Sequence, residues 1–244
     1  MGLLDLFSKD KRDDRARSKN LERAVNKNAQ SLDRLRALEA LAADGSDEAL
    51  YGLLRRFGFS YHKTIEDEQE KDWVFDVLVE KGKTVLPAVQ RYLVNADSIS
   101  WPLRLLEKVA DADETLAALK LVADKNPPGY ERDPSKKIQF LHHLGHFKHP
   151  ESPALAAPYL EDMDEGVRFA TIETLMEHKQ EALSREPLLK LFVSDEEESR
   201  RIRLKICEFF AERAWPVGDH RAAVEKKLPE QYQLDRDGRI KRKA

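Results

Sequence analysis

The chain has 244 residues, 41% of them hydrophobic and 36% charged, with a net charge of −3. That is enough for one large or two small domains with a buried core under a highly charged surface. One cysteine excludes an internal disulfide framework, and no apolar run approaches the roughly 18 residues of a membrane-spanning helix. The residue mix favours helix, being rich in Ala, Leu, Glu, Lys and Arg. Charge is uneven: +3 over residues 1–30, −10 over 31–235 and +4 over 236–244. An acidic body with basic ends makes nucleic acid an unlikely partner, because DNA binding needs a basic stripe. The lone cysteine fits a reducing compartment, and the N-terminus lacks a secretory h-region, so the expected localisation is cytoplasmic.

The chain opens with "MGLLDLFSK", then turns to pure charge in "DKRDDRARSKN". On a helical wheel Leu3, Leu4, Leu6 and Phe7 fall together, opposite Asp5 and Lys9. This is a frayed terminus, or a short docking or membrane-surface segment whose contact would be weak. Gly2 is no myristoylation site, because Leu6 stands where Ser or Thr is needed. Residues 1–28 are read as this amphipathic segment plus a charged linker, 29–229 as a helical domain and 230–244 as a basic tail.

Helices follow in series. Residues 31–43 set Leu32, Leu35, Leu38 and Leu41 on one stripe, and Asp44-Gly45-Ser46 ends it. Ser46 is placed to cap the next helix, which carries Ala49, Leu50, Leu53, Leu54 and Phe57. Similar patterns predict helices over 68–81, 84–94, one opening at Ser100-Trp101-Pro102, then 113–124, 135–144, 152–161, 165–178, 185–193, 198–213 and 219–227. In the tail, "YQLDRDGRIKRK" offers a hairpin with Asp237-Gly238 at its turn. Anchors chosen near the ends of alternate helices, Leu41, Leu78, Leu106, Leu144, Leu175 and Phe210, are spaced 37, 28, 38, 31 and 35 residues apart. Two helices per such step predict an all-α, right-handed solenoid of about five to six helical hairpins.

Residues 160–175, "LEDMDEGVRFATIETL", carry Leu160, Asp162, Asp164, Val167, Arg168, Ala170 and Leu175. This pattern resembles the HEAT repeat of the PBS-lyase-like variety. Leu144-Gly145 before "HPESPALAAPYL" resembles its inter-helix loop and second helix, and Gly45 with Leu50 and Gly82 with Leu86-Pro87 are fainter echoes. Pro127-Pro128-Gly129 departs from the period. The resemblance implies that Asp162, Asp164 and Arg168 form a structural ladder, the acids near a helix N-terminus and the arginine reaching the next repeat.

Four of seven histidines, His142, His143, His146 and His149, crowd into "FLHHLGHFKHP". A metal site wants three or four converging ligands. A turn at Gly145 keeps His142 and His146 off a common face, and His149 precedes a proline, so these read as surface and loop residues. No metal and no cofactor are therefore expected. Cys207 sits among Ile202, Leu204, Ile206, Phe209 and Phe210 and reads as a core thiol. Trp73 and Trp101 read as packing, while Trp215 at a helix junction is left open. Glu66-Asp67-Glu68 reads as a first helical turn, and Arg55-Arg56 and "RRIRLK" at 200–205 as solvated faces or small basic patches.

The leading expectation is a non-catalytic scaffold or adaptor that binds another protein along the solenoid groove, through Tyr51, Arg55, Arg91, Lys120 and Lys190. The alternative is a membrane-associated assembly factor using residues 1–9, with weak membrane-surface contact. An enzyme on the same scaffold is disfavoured. DNA-alkylation glycosylases of HEAT type carry a Trp-Trp-Asp motif and HEAT hydroxylases carry His-Glu pairs, and this chain has neither. Nothing beyond the repeat suggests a bilin lyase. No catalytic residue is assigned.

Overall fold

The computed structural model describes residues 3–61 and 64–243, with side chains from Asp14 onward. The chain is 72% helical and divides into two compact units, Met1–Val122 and Ala123–Ala244.

The first unit holds α1 (Leu3–Ala24), α2 (Ser31–Asp44), α3 (Asp47–Leu54), α4 (Thr64–Glu80), α5 (Leu86–Asn95), α6 (Ser100–Val109) and the start of α7 (Ala112–Lys125). Gly45, at φ 65°, ends α2, and its N–H returns to the Leu41 carbonyl. That left-handed geometry favours glycine. Ser46 then caps α3 by accepting from the Ala49 N–H. Helix α2 packs on α1, α3 and α4, α4 on α6, and α3 on α5. The buried face of α2 is Arg34, Ala37, Leu38 and Leu41, whereas Leu32 is exposed, so the apolar stripe begins later than the leucine spacing suggests. Part of the expected charged linker is helical: α1 reaches Ala24, Arg17 pairs with Asp44, and Leu21 lies on Gly52. A Cβ at Gly52 would run into the end of the Leu21 side chain, so any larger residue there requires Leu21 to move. Leu3, Leu4, Leu6 and Phe7 have side chains outside the described residues.

The second unit holds α8 (Ser135–His146), α9 (Ser152–Ala156), α10 (Glu165–His178), α11 (Glu181–Val193), α12 (Arg200–Arg213), α13 (Arg221–Lys227), β1 (Tyr232–Leu234) and β2 (Ile240–Arg242). Helix α10 packs on both α8 and α12, and α11 packs on the 3-10 turn Ala157–Glu161 and on α13. Contrary to the expected turn, α8 runs through Gly145 to His146, and Gly145 lies against Thr174 of α10. The tail forms the expected antiparallel hairpin, with Gly238 at φ 73° in its turn. The hairpin is tied down: the Val217 N–H donates to the Gly238 carbonyl, Arg221 donates to the carbonyls of Asp235 and Arg236, and Ile240 is buried. Two strands alone would be marginal; packing of β2 on α12 supplies the missing apolar contact.

All six anchors, Leu41, Leu78, Leu106, Leu144, Leu175 and Phe210, are fully buried, and they fall on α2, α4, α6, α8, α10 and α12. Within each unit, helices two apart in sequence therefore share core contacts. Among the described residues no helix is long and apolar enough to cross a membrane.

Candidate functional site

The sequence of α12, "RRIRLKICEFFAER", separates two faces. Ile202, Ile206, Cys207, Phe209 and Phe210 are buried. Arg200, Arg201, Leu204, Lys205 and Glu208 recur at helical spacing on the other side. Ser199 caps the helix by accepting from the Ile202 N–H, which fixes where this outer stripe begins.

Phe169 of α10 lies beneath the stripe. The Arg201 guanidinium stands 3.6 Å from its ring centroid and the Lys205 ammonium 5.6 Å. The hairpin closes the far side with Tyr232 and Arg242. Together they line an open groove of about 650 Å³. Burial, with the nearby Glu208 charge, pushes the Tyr232 phenol up, so it stays neutral and can donate a hydrogen bond. Native counter-charges are loose: Arg201 is 3.9 Å from Glu165, and Lys205 is 3.6 Å from both Glu173 and Glu208. Among the described residues no acidic side chain pairs with Arg200 or Arg242.

A second cavity, of about 270 Å³, shares Lys205 and is lined by His142, His146, Glu173, Thr174 and Glu177. Because α8 continues through Gly145, His142 and His146 stand one turn apart on a common face after all. Among the described residues, however, no group of three or more His, Cys, Asp or Glu side chains is placed to hold a metal. His149 accepts from the Glu151 N–H, and His178 bonds the Leu144 carbonyl at 2.7 Å. Burial holds the His178 imidazole below its ordinary value.

The motif residues gather at the start of α10, Asp162 and Asp164 just before it and Arg168 in its first turns. Asp162 is buried and accepts from the Gly129 N–H at 3.0 Å, the Asp164 N–H at 2.9 Å and the Lys137 ammonium at 2.9 Å. Asp164 is the N-cap of α10, accepting from the Val167 N–H. Arg168 makes a two-pronged pair with Glu197, at 2.7 and 3.2 Å, and donates to the carbonyls of Asp162 and Met163. Each of the three side chains is engaged by its neighbours, which is the behaviour of a brace.

The expected partner-binding residues divide between the units. Tyr51, Arg55, Arg91 and Lys120 belong to the first and Lys190 to the second. Arg91 stacks over the Tyr51 ring at 4.0 Å and pairs with Glu48 at 2.6 Å, while Arg55, Lys120 and Lys190 are exposed. The reading of Arg55-Arg56 as one solvated patch fails at Arg56, which is fully buried. It binds Asp67 and Glu70, and Glu70 also takes Arg34 at 2.7 Å. Asp67 lies in the first turn of α4 as expected, but it is buried as well and holds Lys71 at 2.6 Å. Cys207 is buried, and burial pushes its thiol up to about 12, far from a nucleophile's range. Trp215, left open by its junction position, packs on Phe209 and Phe210.

The groove was half visible in the sequence. "RRIRLK" and the basic tail both stood out, but they are some forty residues apart. The hairpin turn at Gly238 is what returns Arg242 beside α12. Among known proteins, no family model, curated protein or solved structure matches the chain.

Proposed function

We propose that the protein is a non-catalytic, cofactor-free interaction scaffold of HEAT-like helical pairs, working in the cytoplasm and holding a partner protein against its second unit. The observation that carries this is the groove between α12, Phe169 and the hairpin, where Arg201 lies over the Phe169 ring and Arg200 and Arg242 have no acidic partner among the described residues. Exposed cations beside apolar area are typical of surfaces that complete themselves with a partner. Three features support the HEAT-like part: contacts between alternate helices within each unit, the six buried anchors, and the brace of Asp162, Asp164 and Arg168. The partner-binding role first expected of Tyr51, Arg55, Arg91, Lys120 and Lys190 moves to second place, because Arg91 is already engaged by Glu48.

The test is a photo-crosslinking side chain at position 204, used in the native cell with the full chain. One protein is expected to crosslink, and the R200E/R242E double variant should abolish that product. Crosslinking that persists unchanged in the double variant, or none at all, rejects the proposal.

A further inference from the structure

Resting on the scaffold reading, we infer that the occupant of the groove is an acidic peptide segment carrying one apolar side chain. Charge complementarity is the first argument. The rim presents Arg200, Arg201, Lys205 and Arg242, and the first and last have no acidic partner among the described residues. Guanidinium forks match carboxylates in a planar, two-bond geometry, so arginines suit a carboxylate-bearing guest. The pairs that Arg201 and Lys205 do make are at 3.6–3.9 Å, long enough for incoming carboxylates to replace them.

The floor sets the second requirement. Phe169, Leu204 and Tyr232 leave apolar surface between the cations, and a guest made of charge alone would leave it wet. One Leu- or Phe-sized side chain would cover it and add the hydrophobic contribution that exposed ion pairs lack. About 650 Å³ is room for a few side chains of an extended or helical segment.

The resident acids decide against phosphate polymers. Glu208 lines the groove, Glu165 and Glu173 stand beside Arg201 and Lys205, and residues 31–235 carry −10 overall. A continuous polyanion or an anionic membrane would run over all these carboxylates, whereas a short segment can seat its acids on Arg200 and Arg242.

The experiment is fluorescence anisotropy on the full chain with a labelled synthetic peptide of Asp and Glu around a central Leu. Comparison probes are the same peptide with Leu→Ser, a duplex DNA and phosphatidylserine vesicles. The Leu peptide is expected to bind, to lose about tenfold in affinity in R200E/R242E, and to lose about fivefold on Leu→Ser. The neutral pair R200Q/R242Q should fall between, which separates lost attraction from added repulsion. An affinity indifferent to these changes, or tighter binding of DNA or vesicles, overturns the inference. If a partner crosslinks at position 204 but the peptide does not compete with it, the inference fails and the scaffold reading stands. If there is no crosslink and no peptide binding, both fail.

Discussion

The two units bury charge for opposite ends. In the first, Arg34, Arg56, Asp67, Glu70 and Lys71 gather in one knot of side chains under Tyr61, whose ring lies 4.2 Å from the Arg34 guanidinium carbon. Ions pair with ions there, the arginines also donate to the carbonyls of Ala29, Phe59 and Asp67, and the knot joins α2, the turn after α3 and α4. In the second, buried ions fix backbone loops: Asp162 takes the N–H and Lys137 the carbonyl of Gly129, and Glu197 takes Arg168 and the Ser199 N–H. A knot of ions is costly to desolvate and fails badly when one member is lost, whereas braces fail one loop at a time.

Mutation of each arginine breaks or sharpens that contrast. Arg56→Ala takes one cationic partner from each of the buried Asp67 and Glu70, leaving them Lys71 and Arg34, and should cost about 3 kcal/mol in urea unfolding. Arg168→Ala, whose partner Glu197 keeps the Ser199 N–H, should cost about 2 kcal/mol. Equal costs would show the distinction to be empty. The acid limb comes next. Burial raises Asp67, but hydrogen bonds from Lys71 and Arg56 outweigh it and hold the carboxyl below its ordinary value. A depressed carboxylate adds stability above its unfolded value and loses it as pH falls through the folded one. The stability gap between wild type and Asp67→Asn should therefore be full above about pH 4 and shrink below it. A gap that stays constant between pH 6 and pH 2.5 (by urea titration) would remove Asp67 from the knot. The smallest change is Asp164→Ala, which removes one cap and should cost about 1 kcal/mol, seen as a modest Tm shift.

The braces were more legible in sequence than the knot. Asp162, Asp164 and Arg168 lie within seven residues on a recognisable pattern, so their local geometry follows from the capping rules. Helix positions were legible for a similar reason: the 3.6-residue period is local, and α10 falls on its expected span, 165–178. Arg34, Arg56 and Glu70 are spread over three segments, and each alone looks like a surface charge. Burial of an ion depends on which helices meet, and periodicity does not carry that information. Gly145 misled differently. Glycine often ends a helix, but here the helix continues to His146 and Gly145 lies against Thr174. The groove needed both kinds of knowledge, the local stripe on α12 and the long-range return of the hairpin.

Cys207 gives these contrasts a clock. It is the chain's sole thiol, is wholly buried on α12 and has its ionisation pushed to about 12. A thiol reagent can reach it only when the second unit opens, so the labelling rate in the native protein times that opening event and is silent about the first unit. Paired with a whole-chain signal such as circular dichroism, the same sulfur would tell whether the knot and the braces give way together or in turn.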